Sequence, residues 1–412
     1  MPTSDQISAV KRFIAANWQR TIRQPTEQSA REIALPQPFV VPTAGPEFHL
    51  FFYWDTYFAC EGLLRDERVE LARQQADNML HLIRTLGYVP NFTIAEHNDR
   101  SQPPVASALV RAVYERTGDR DWLGRAHATL EHEYAFWTAL RRLPNGLNRY
   151  GQHAAPKQIE NFYWVIRERI HAIPEDPAER MTMLDHYMAE AESGWDFTPR
   201  FAGRCADFAA IDLNSILYLH EANAAFFCDE LGTSDGELWR ERAEQRKQLV
   251  DRFCWNDARG LFFDYDAAYD RHGPIVSVAT LYPLWAGLAS ADQAKQIVTN
   301  FDLIEQPFGL VACAPGGADR SQSYQWDYPN AWPPTQLIAI AGLQRYGYDS
   351  EARRVAEKYV ATVCRGFEQT GNLWEKYNAV TGGVDVADEY PMPAMLGWTA
   401  GTFLYACEVL GA

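Results

Sequence analysis

A recurrence of helix starts constrains this chain more than any other feature. Apolar residues fall at i, i+3 and i+4 over Val69 to Leu86, Trp122 to Leu140, Leu213 to Leu231 and Ala352 to Val363, the spacing that gives an α-helix one buried face. An aspartate stands in or just before the first turn of successive amphipathic runs, where its charge complements the helix dipole: Asp66, Asp121, Asp176, Asp235, Asp292 and Asp349. Successive members lie roughly 55 to 60 residues apart, about two helices with one short and one long connection. Six such steps predict an all-α fold, an (α/α)6 toroid of six helical hairpins in which an inner ring of helices is wrapped by an outer one. Ring closure buries both sides of each inner helix and accommodates residues 1–412 as a single domain, with 1–45 as an N-terminal helix and lead-in segment packed on the barrel. Strand patterns are few, and the best, Gly260 to Asp266, reads as a short hairpin.

Polar-aromatic segments rich in Pro and Gly separate the repeat marks, at about 88–104, 149–163, 193–212, 256–277, 309–335 and 371–398. If the short turns occupy one rim, these long connections, with short β-hairpin excursions, gather over the other, where loops can present polar side chains to a ligand. The 54 acidic and 38 basic residues leave a formal charge of −16, which repels phosphate backbones and anionic surfaces, so neither nucleic acid nor a membrane is an expected partner. No apolar run is long enough to span a bilayer, and the N-terminus has no basic-then-apolar leader pattern, from which a cytoplasmic location is expected. Seven cysteines without a CxxC pair fit reduced core thiols better than a disulfide framework. Thirteen tryptophans are the unusual count, and flat indole faces suit the apolar faces of sugar rings.

Two carboxylates stand out. Asp196, in Glu192-Ser193-Gly194-Trp195-Asp196-Phe197, follows a glycine that permits a tight turn and is flanked by two rings; partial desolvation there would suit a proton donor. A turn or capping carboxylate is the plainer alternative. Glu375, in Trp374-Glu375-Lys376-Tyr377, reads by default as half of an exposed ion pair, but its aromatic setting favours a lined pocket. Cleavage of a glycosidic bond needs two such groups flanking it. Tryptophan also meets carboxylate or amide in Tyr53-Trp54-Asp55-Thr56-Tyr57 and Gln325-Trp326-Asp327-Tyr328, and Asp99-Arg100-Ser101-Gln102 adds polar groups suited to vicinal hydroxyls.

Taken in order, these segments resemble the trehalase family of inverting glycoside hydrolases, from about residue 46 to the C-terminus. The signatures that carry the resemblance are Tyr53 to Phe58, Arg100 to Pro104, Glu192 to Phe197, Asp212-Leu213-Asn214, Gln325 to Pro334, Glu375-Lys376-Tyr377, and Glu389-Tyr390-Pro391 followed by Gly397-Trp398-Thr399. The resemblance implies Asp196 as general acid and Glu375 as general base, with Trp54, Asp55, Asn91, Arg100, Gln102, Trp326, Asp327, Glu389 and Trp398 binding substrate. Asn91 enters through the resemblance only. The chain departs from the family pattern where arginines are expected: Glu47-Phe48-His49-Leu50 replaces Arg-Phe-Arg-Glu, and Pro156 to Asn161 replaces an Arg-Pro-Glu-Ser segment. The glycine-rich lid before Glu389 is shortened to Gly382 to Asp388. A guanidinium fork has no carboxylate equivalent, so the leaving-group side is where this chain differs.

The expected substrate is a small α-glucoside, with trehalose first and another compact α-glycoside, a glucosyl- or mannosyl-glycerate or -glycerol, as the alternative. A sugar epimerase on the same toroid is the rival class; it would use histidines such as His49, His97, His153 or His272 as acid and base. No cofactor is required and no metal is indicated. His127 and His132 with Glu131 and Glu133 do not form HExxH and are expected along one solvated helix face.

Overall fold

The computed structural model describes residues 2–412 except 171–172, 317–323, 387–389 and 395. Among the described residues fourteen α-helices carry the fold: α1 (Ser4–Asn17), α2 (Tyr53–Arg65), α3 (Val69–Leu86), α4 (Ala106–Thr117), α5 (Arg120–Leu140), α6 (Pro156–Ile166), α7 (Pro177–Glu192), α8 (Ile211–Leu231), α9 (Gly236–Phe253), α10 (Tyr282–Ala286), α11 (Ala291–Thr299), α12 (Pro333–Arg345), α13 (Asp349–Thr370) and α14 (Gly397–Leu410). The four runs with helical periodicity all lie within helices, and that from Val69 to Leu86 coincides with α3.

Six helices, α2, α4, α8, α10, α12 and α14, touch one another in that cyclic order, and α14 closes the ring on α2. Burial distinguishes them from the others. In α14 every residue from Gly397 to Leu404 is buried, whereas α9 buries only Gly236, Trp239, Ala243, Arg246 and Val250. A helix apolar all round belongs inside, and one with a single apolar stripe belongs on the outer wall. The outer wall comprises α1, α3, α5, α9, α11 and α13, with α1 seated on α13 through Phe13 and Phe367. The fold is the helical toroid.

The recurring aspartates mark this wall with one exception. Asp66, Asp121, Asp235, Asp292 and Asp349 stand at the starts of α3, α5, α9, α11 and α13. Asp176 instead caps α7, accepting from Ala178 N–H at 2.9 Å and Glu179 N–H at 3.0 Å. Helices α6 and α7 pack on each other as an extra pair between α5 and α8, so one repeat step was counted twice. The sixth outer helix is α1, opened by a Thr3–Gln6 capping box instead of an aspartate.

Two further expectations are corrected. Gly260 to Asp266 is shared between two short ladders: Leu261–Phe262 pairs with Trp255–Asn256, and Tyr265–Asp266 pairs with Phe208–Ala209 and Arg271–His272. Asp264 breaks the alternation by turning inward, where its carboxylate accepts from Arg200 at 2.8 and 3.1 Å. On α5, His132 is exposed, but His127 and Glu133 are buried, because α3, α4 and α8 cover more than one face of that helix. All seven cysteines are buried and unpaired, and no helix among the described residues is long and apolar enough to cross a membrane.

Ring closure depends on glycine. A Cβ on Gly401 of α14 would overlap the Phe58 carbonyl oxygen of α2, and Gly62 of α2 faces Gly401 in turn. Gly401→Ala is therefore expected to cost about 1–3 kcal/mol through overpacking, read as a lowered denaturation midpoint in urea with an unchanged m-value.

Candidate active site

Five of the six inner helices are entered directly from a segment that carries candidate site residues. Trp54 and Asp55 lie in the first turn of α2; Arg100 and Gln102 precede α4; Asp196 lies upstream of α8; Trp326 precedes α12; and Glu375 and Trp398 lie before and at the start of α14. The N-terminal ends of these helices thereby bring segments remote in sequence to one mouth of the ring. They enclose a cavity of about 360 Å3 whose walls include Trp54, Asp55, Asn91, Arg100, Gln102, Asp196, Trp326, Glu375 and Trp398. Asp327 is buried at the base of the same loop and is not among the lining residues. Glu389 lies outside the described residues.

The floor is a tryptophan cluster. Trp326 stacks on Trp332 with ring centroids 3.9 Å apart and planes 3° from parallel, and on Trp195 at 4.9 Å. Trp54 tilts against Trp326 at 5.7 Å, and Trp398 meets Trp54 and Trp332 edge-on at 6.2 and 5.8 Å. Gly194, at φ +76°, has Trp54 against it: a Cβ there would sit 2.7 Å from the indole. Only glycine satisfies both the left-handed backbone and that approach.

Buried polar bonds hold the loops in register. The Glu192 carboxylate, at the end of α7, accepts from Ser101 N–H at 2.9 Å, Gly151 N–H at 2.7 Å, and Arg141 Nε and Nη2 at 2.8 Å each. It thus ties the Asp196 loop to the Arg100–Gln102 loop. Trp326 N–H donates to the Phe197 carbonyl at 3.1 Å, and Thr198 Oγ1 donates to the Trp326 carbonyl at 3.1 Å. A short antiparallel ladder pairs Asn330 with Asn378 and Ala331 with Tyr377, joining the Trp326 and Glu375 connections.

Around the two principal carboxylates, Glu375 Oε2 accepts from Lys376 Nζ at 2.8 Å, and Oε1 accepts from Tyr390 O–H at 2.8 Å. This ion pair is buried, contrary to the default for adjacent Glu and Lys, and Lys376 also sits 4.8 Å from the Trp332 ring centroid. Asp196 is one-third exposed at its side chain and accepts from Arg169 Nη2 at 3.1 Å. Asp55 shows how near these charges lie. Burial raises its carboxyl to about 8, and the negative charges of Glu375 and Asp196 push the same way. Three carboxyl groups share one field, which favours the protonated form of Asp55.

The sequence model of the trehalase family matches residues 3–411. The chain belongs to the trehalase family. A periplasmic trehalase of Xanthomonas campestris is 35% identical over 97% of this chain and 73% of that protein. A cytosolic neutral trehalase of Neurospora crassa is 31% identical over 91% of this chain and 59% of its own length. The solved neutral trehalase of Saccharomyces cerevisiae superposes with a TM-score of 0.77 at 28% identity, covering 90% of this chain and 73% of that one. A mannosylglycerate hydrolase of Thermus thermophilus, solved with glucose, shares the fold at a TM-score of 0.68 and 17% identity, over 96% of this chain and 99% of that one. The expected cytoplasmic location is overturned: the Xanthomonas relatives, and one from Pseudomonas aeruginosa at 33% identity, are named periplasmic trehalases.

Within this trehalase-family site, sequence reasoning missed Arg169, Phe52, Phe92 and Val165 as lining residues. Arg169 follows α6 in an ordinary charged stretch, and nothing local marks it. Glu133 was also missed, as the buried support beneath α2. Tyr53 O–H donates to Glu133 Oε1 at 2.6 Å and accepts from Ala106 N–H at 3.0 Å, pinning the turn that carries Trp54 and Asp55 to α4 and α5. Burial raises the Glu133 carboxyl from its usual 4.5 to about 8, with the Tyr53 bond pulling the other way. The folded state therefore holds a proton that the unfolded chain releases above 4.5, and this stability is lost as pH rises through about 8. Glu133→Gln keeps an acceptor for Tyr53 and removes the titration. Its melting temperature should gain on that of the wild type between about pH 5 and 8 in thermal melts across that window.

Proposed function

We propose that this trehalase-family glycoside hydrolase cleaves trehalose by a single displacement with inversion, with Asp196 as general acid and Glu375 as general base. The supporting observation is that the two carboxylates, 179 positions apart in sequence, line one cavity and both act on the Asp55 carboxyl. Glu375 takes a proton from a water whose oxygen bonds to the anomeric carbon. The bond from that carbon to the bridging oxygen breaks, and Asp196 gives its proton to the departing oxygen. One water is consumed, two glucose molecules leave, and proton exchange with solvent restores both groups. Attack and departure share one oxocarbenium-like transition state, which the ionised carboxylate stabilises electrostatically.

The remaining lining residues suit a hexose. Trp54, Trp326 and Trp398 offer flat apolar faces, while Asn91, Arg100, Gln102 and protonated Asp55 offer donors, and in part acceptors, for its hydroxyls. Gln102 Oε1 accepts from Trp54 N–H at 3.1 Å and Asn91 Nδ2 donates to the Ala191 carbonyl at 3.1 Å, so both amides are oriented before substrate arrives. No histidine lines the cavity among the described residues, which disfavours the epimerase reading, since that chemistry draws on imidazole acids and bases.

Proton NMR of the first turnovers decides the stereochemistry. Each trehalose should yield one α-glucose, the departing half, and one β-glucose, the attacked half; two α-anomers would indicate retention. Asp196→Asn and Glu375→Gln should each lower kcat by about 10²–10⁴-fold.

A further inference from the structure

A second cavity, of about 290 Å3, opens on the outer wall and shares no lining residue with the first. Its walls come from α5 and the segment that follows it, from α8, and from α9. Helices α5 and α9 both pack on α8, so two outer helices and an inner one enclose it. Its ten lining residues include three arginines, Arg142, Arg242 and Arg246, against one carboxylate, Glu221, a local charge of +2 in a chain whose formal charge is −16. A positive concavity on an acidic protein concentrates anions there.

The three arginines differ in what they already hold. Arg246 is buried and engaged: Nε donates to Glu221 Oε1 at 2.9 Å, Nη2 lies 2.8 Å from the same oxygen, and Nη1 donates to Asn148 Oδ1 at 2.9 Å and Asn214 Oδ1 at 3.2 Å. Arg142, which is exposed, and Arg242, which is half-buried, have no side-chain hydrogen bond or ion pair among the described residues. The Arg242 guanidinium carbon lies 4.4 Å from the Trp239 ring centroid and 5.5 Å from that of Tyr134. Such contacts occupy the face of a guanidinium and leave its N–H edge to other acceptors. Glu221 is equally uneven. Its Oε1 takes the Arg246 donors and a third from Tyr134 O–H at 2.7 Å, whereas Oε2, in a residue 1% exposed, has no partner among the described residues. A buried carboxylate oxygen without a donor is costly, and this one belongs to a residue lining a cavity that a ligand can enter.

We propose that this outer cavity is a second binding site, distinct from the active site, for a phosphorylated monosaccharide. The phosphate accepts from Arg142 and Arg242 on the open side, and a sugar hydroxyl donates to Glu221 Oε2 in the depth. Two guanidinium groups without acceptors match a dianion, and the planar N–H edge suits phosphate oxygens. A hydroxyl supplies the donor that the carboxylate oxygen lacks. Neither half of the ligand meets both needs: a neutral sugar leaves the arginines uncompensated, and free phosphate leaves Oε2 facing a second anion. The volume suits a ligand of about this size, at the lower end of the range for small-molecule sites.

Isothermal titration calorimetry of the full chain with glucose 1-phosphate, glucose 6-phosphate, glucose and inorganic phosphate is the test. The tighter of the two sugar phosphates should bind at least about tenfold more tightly than glucose or phosphate alone. Replacing both free arginines, Arg142→Met with Arg242→Met, should weaken that binding at least about 100-fold, and Arg242→Lys, which keeps the charge and loses the fork, should weaken it less. Circular dichroism melts show that the variants are folded, and each single Met variant, with a smaller loss, serves if the double variant is not. Because the two cavities share no residue, a sugar phosphate held in the active site would bind the folded Met variants as tightly as wild type, and that result would overturn the proposal. So would no binding of either sugar phosphate at concentrations on the order of 10 mM, or equal affinity for phosphate or for glucose.

Discussion

The contact of α14 with α2 through facing glycine backbones is the constraint on which the molecule depends. A linear array of helical hairpins has two ends with exposed apolar faces, and closing it removes both. The closing joint also has a chemical consequence. Trp54 and Asp55 stand in the first turn of α2, while Glu375 and Trp398 stand just before and at the start of α14. Closure therefore brings residues from opposite ends of the chain to one cavity, and Trp398 meets Trp54 edge-on across the joint. Neither half of the chain could assemble this site alone.

Closure fixes the helices, but the proposed catalytic groups sit on connections, and these are fixed by buried charge. Glu192 takes four donors from three separate segments, and Arg200 forms bonds of 2.8 to 3.3 Å with both Asp212 and Asp264 while lying 4.2 Å from the Trp195 ring centroid. Fully satisfied buried ions contribute little net stability compared with apolar packing, but they penalise any arrangement that leaves them unpaired. A loop held this way has few alternative positions, which a proton donor needs if it is to meet one bridging oxygen.

What was legible in the sequence follows from what each signal measures. Periodicity reports one-sided burial, so the apolar pattern coincides with α3, and of the ordered motifs carrying Trp, Asp and Glu most residues share a cavity, Asp327 excepted and Glu389 outside the described residues. Both signals are blind to context. The pattern of acidic helix starts could not separate α7 from the outer wall, since any helix benefits from an acid at its N-terminus. Glu133 looked like a surface acid because its burial comes from three neighbouring helices and not from α5 itself. Glu375 and Lys376 looked like an exposed pair because adjacency in sequence says nothing about the depth at which a pair lies. Arg169 carried no signal at all: its place in the cavity depends on how the α6–α7 pair folds over the mouth.

The same cavity explains why a strongly acidic protein spends cations on this site. Asp55, Asp196 and Glu375 together would repel one another if all were ionised in a dry pocket. Two of them have a cation against one oxygen, Lys376 for Glu375 and Arg169 for Asp196, while burial, and then the charges of the other two, favour the protonated form of Asp55. The neutral member is on the inner floor helix, where a hydrogen-bond donor to a sugar hydroxyl is useful and a third negative charge would not be. The cation beside Glu375 is sealed, with Lys376 fully buried and 4.8 Å from the Trp332 ring centroid. The cation beside Asp196 is at the open side, with one-sixth of its side chain exposed. A sealed cation suits the role proposed for Glu375. In the proposed displacement Glu375 must be ionised when water arrives, and Asp196, on the solvent-facing side, must have taken up a proton before the glycosidic bond breaks.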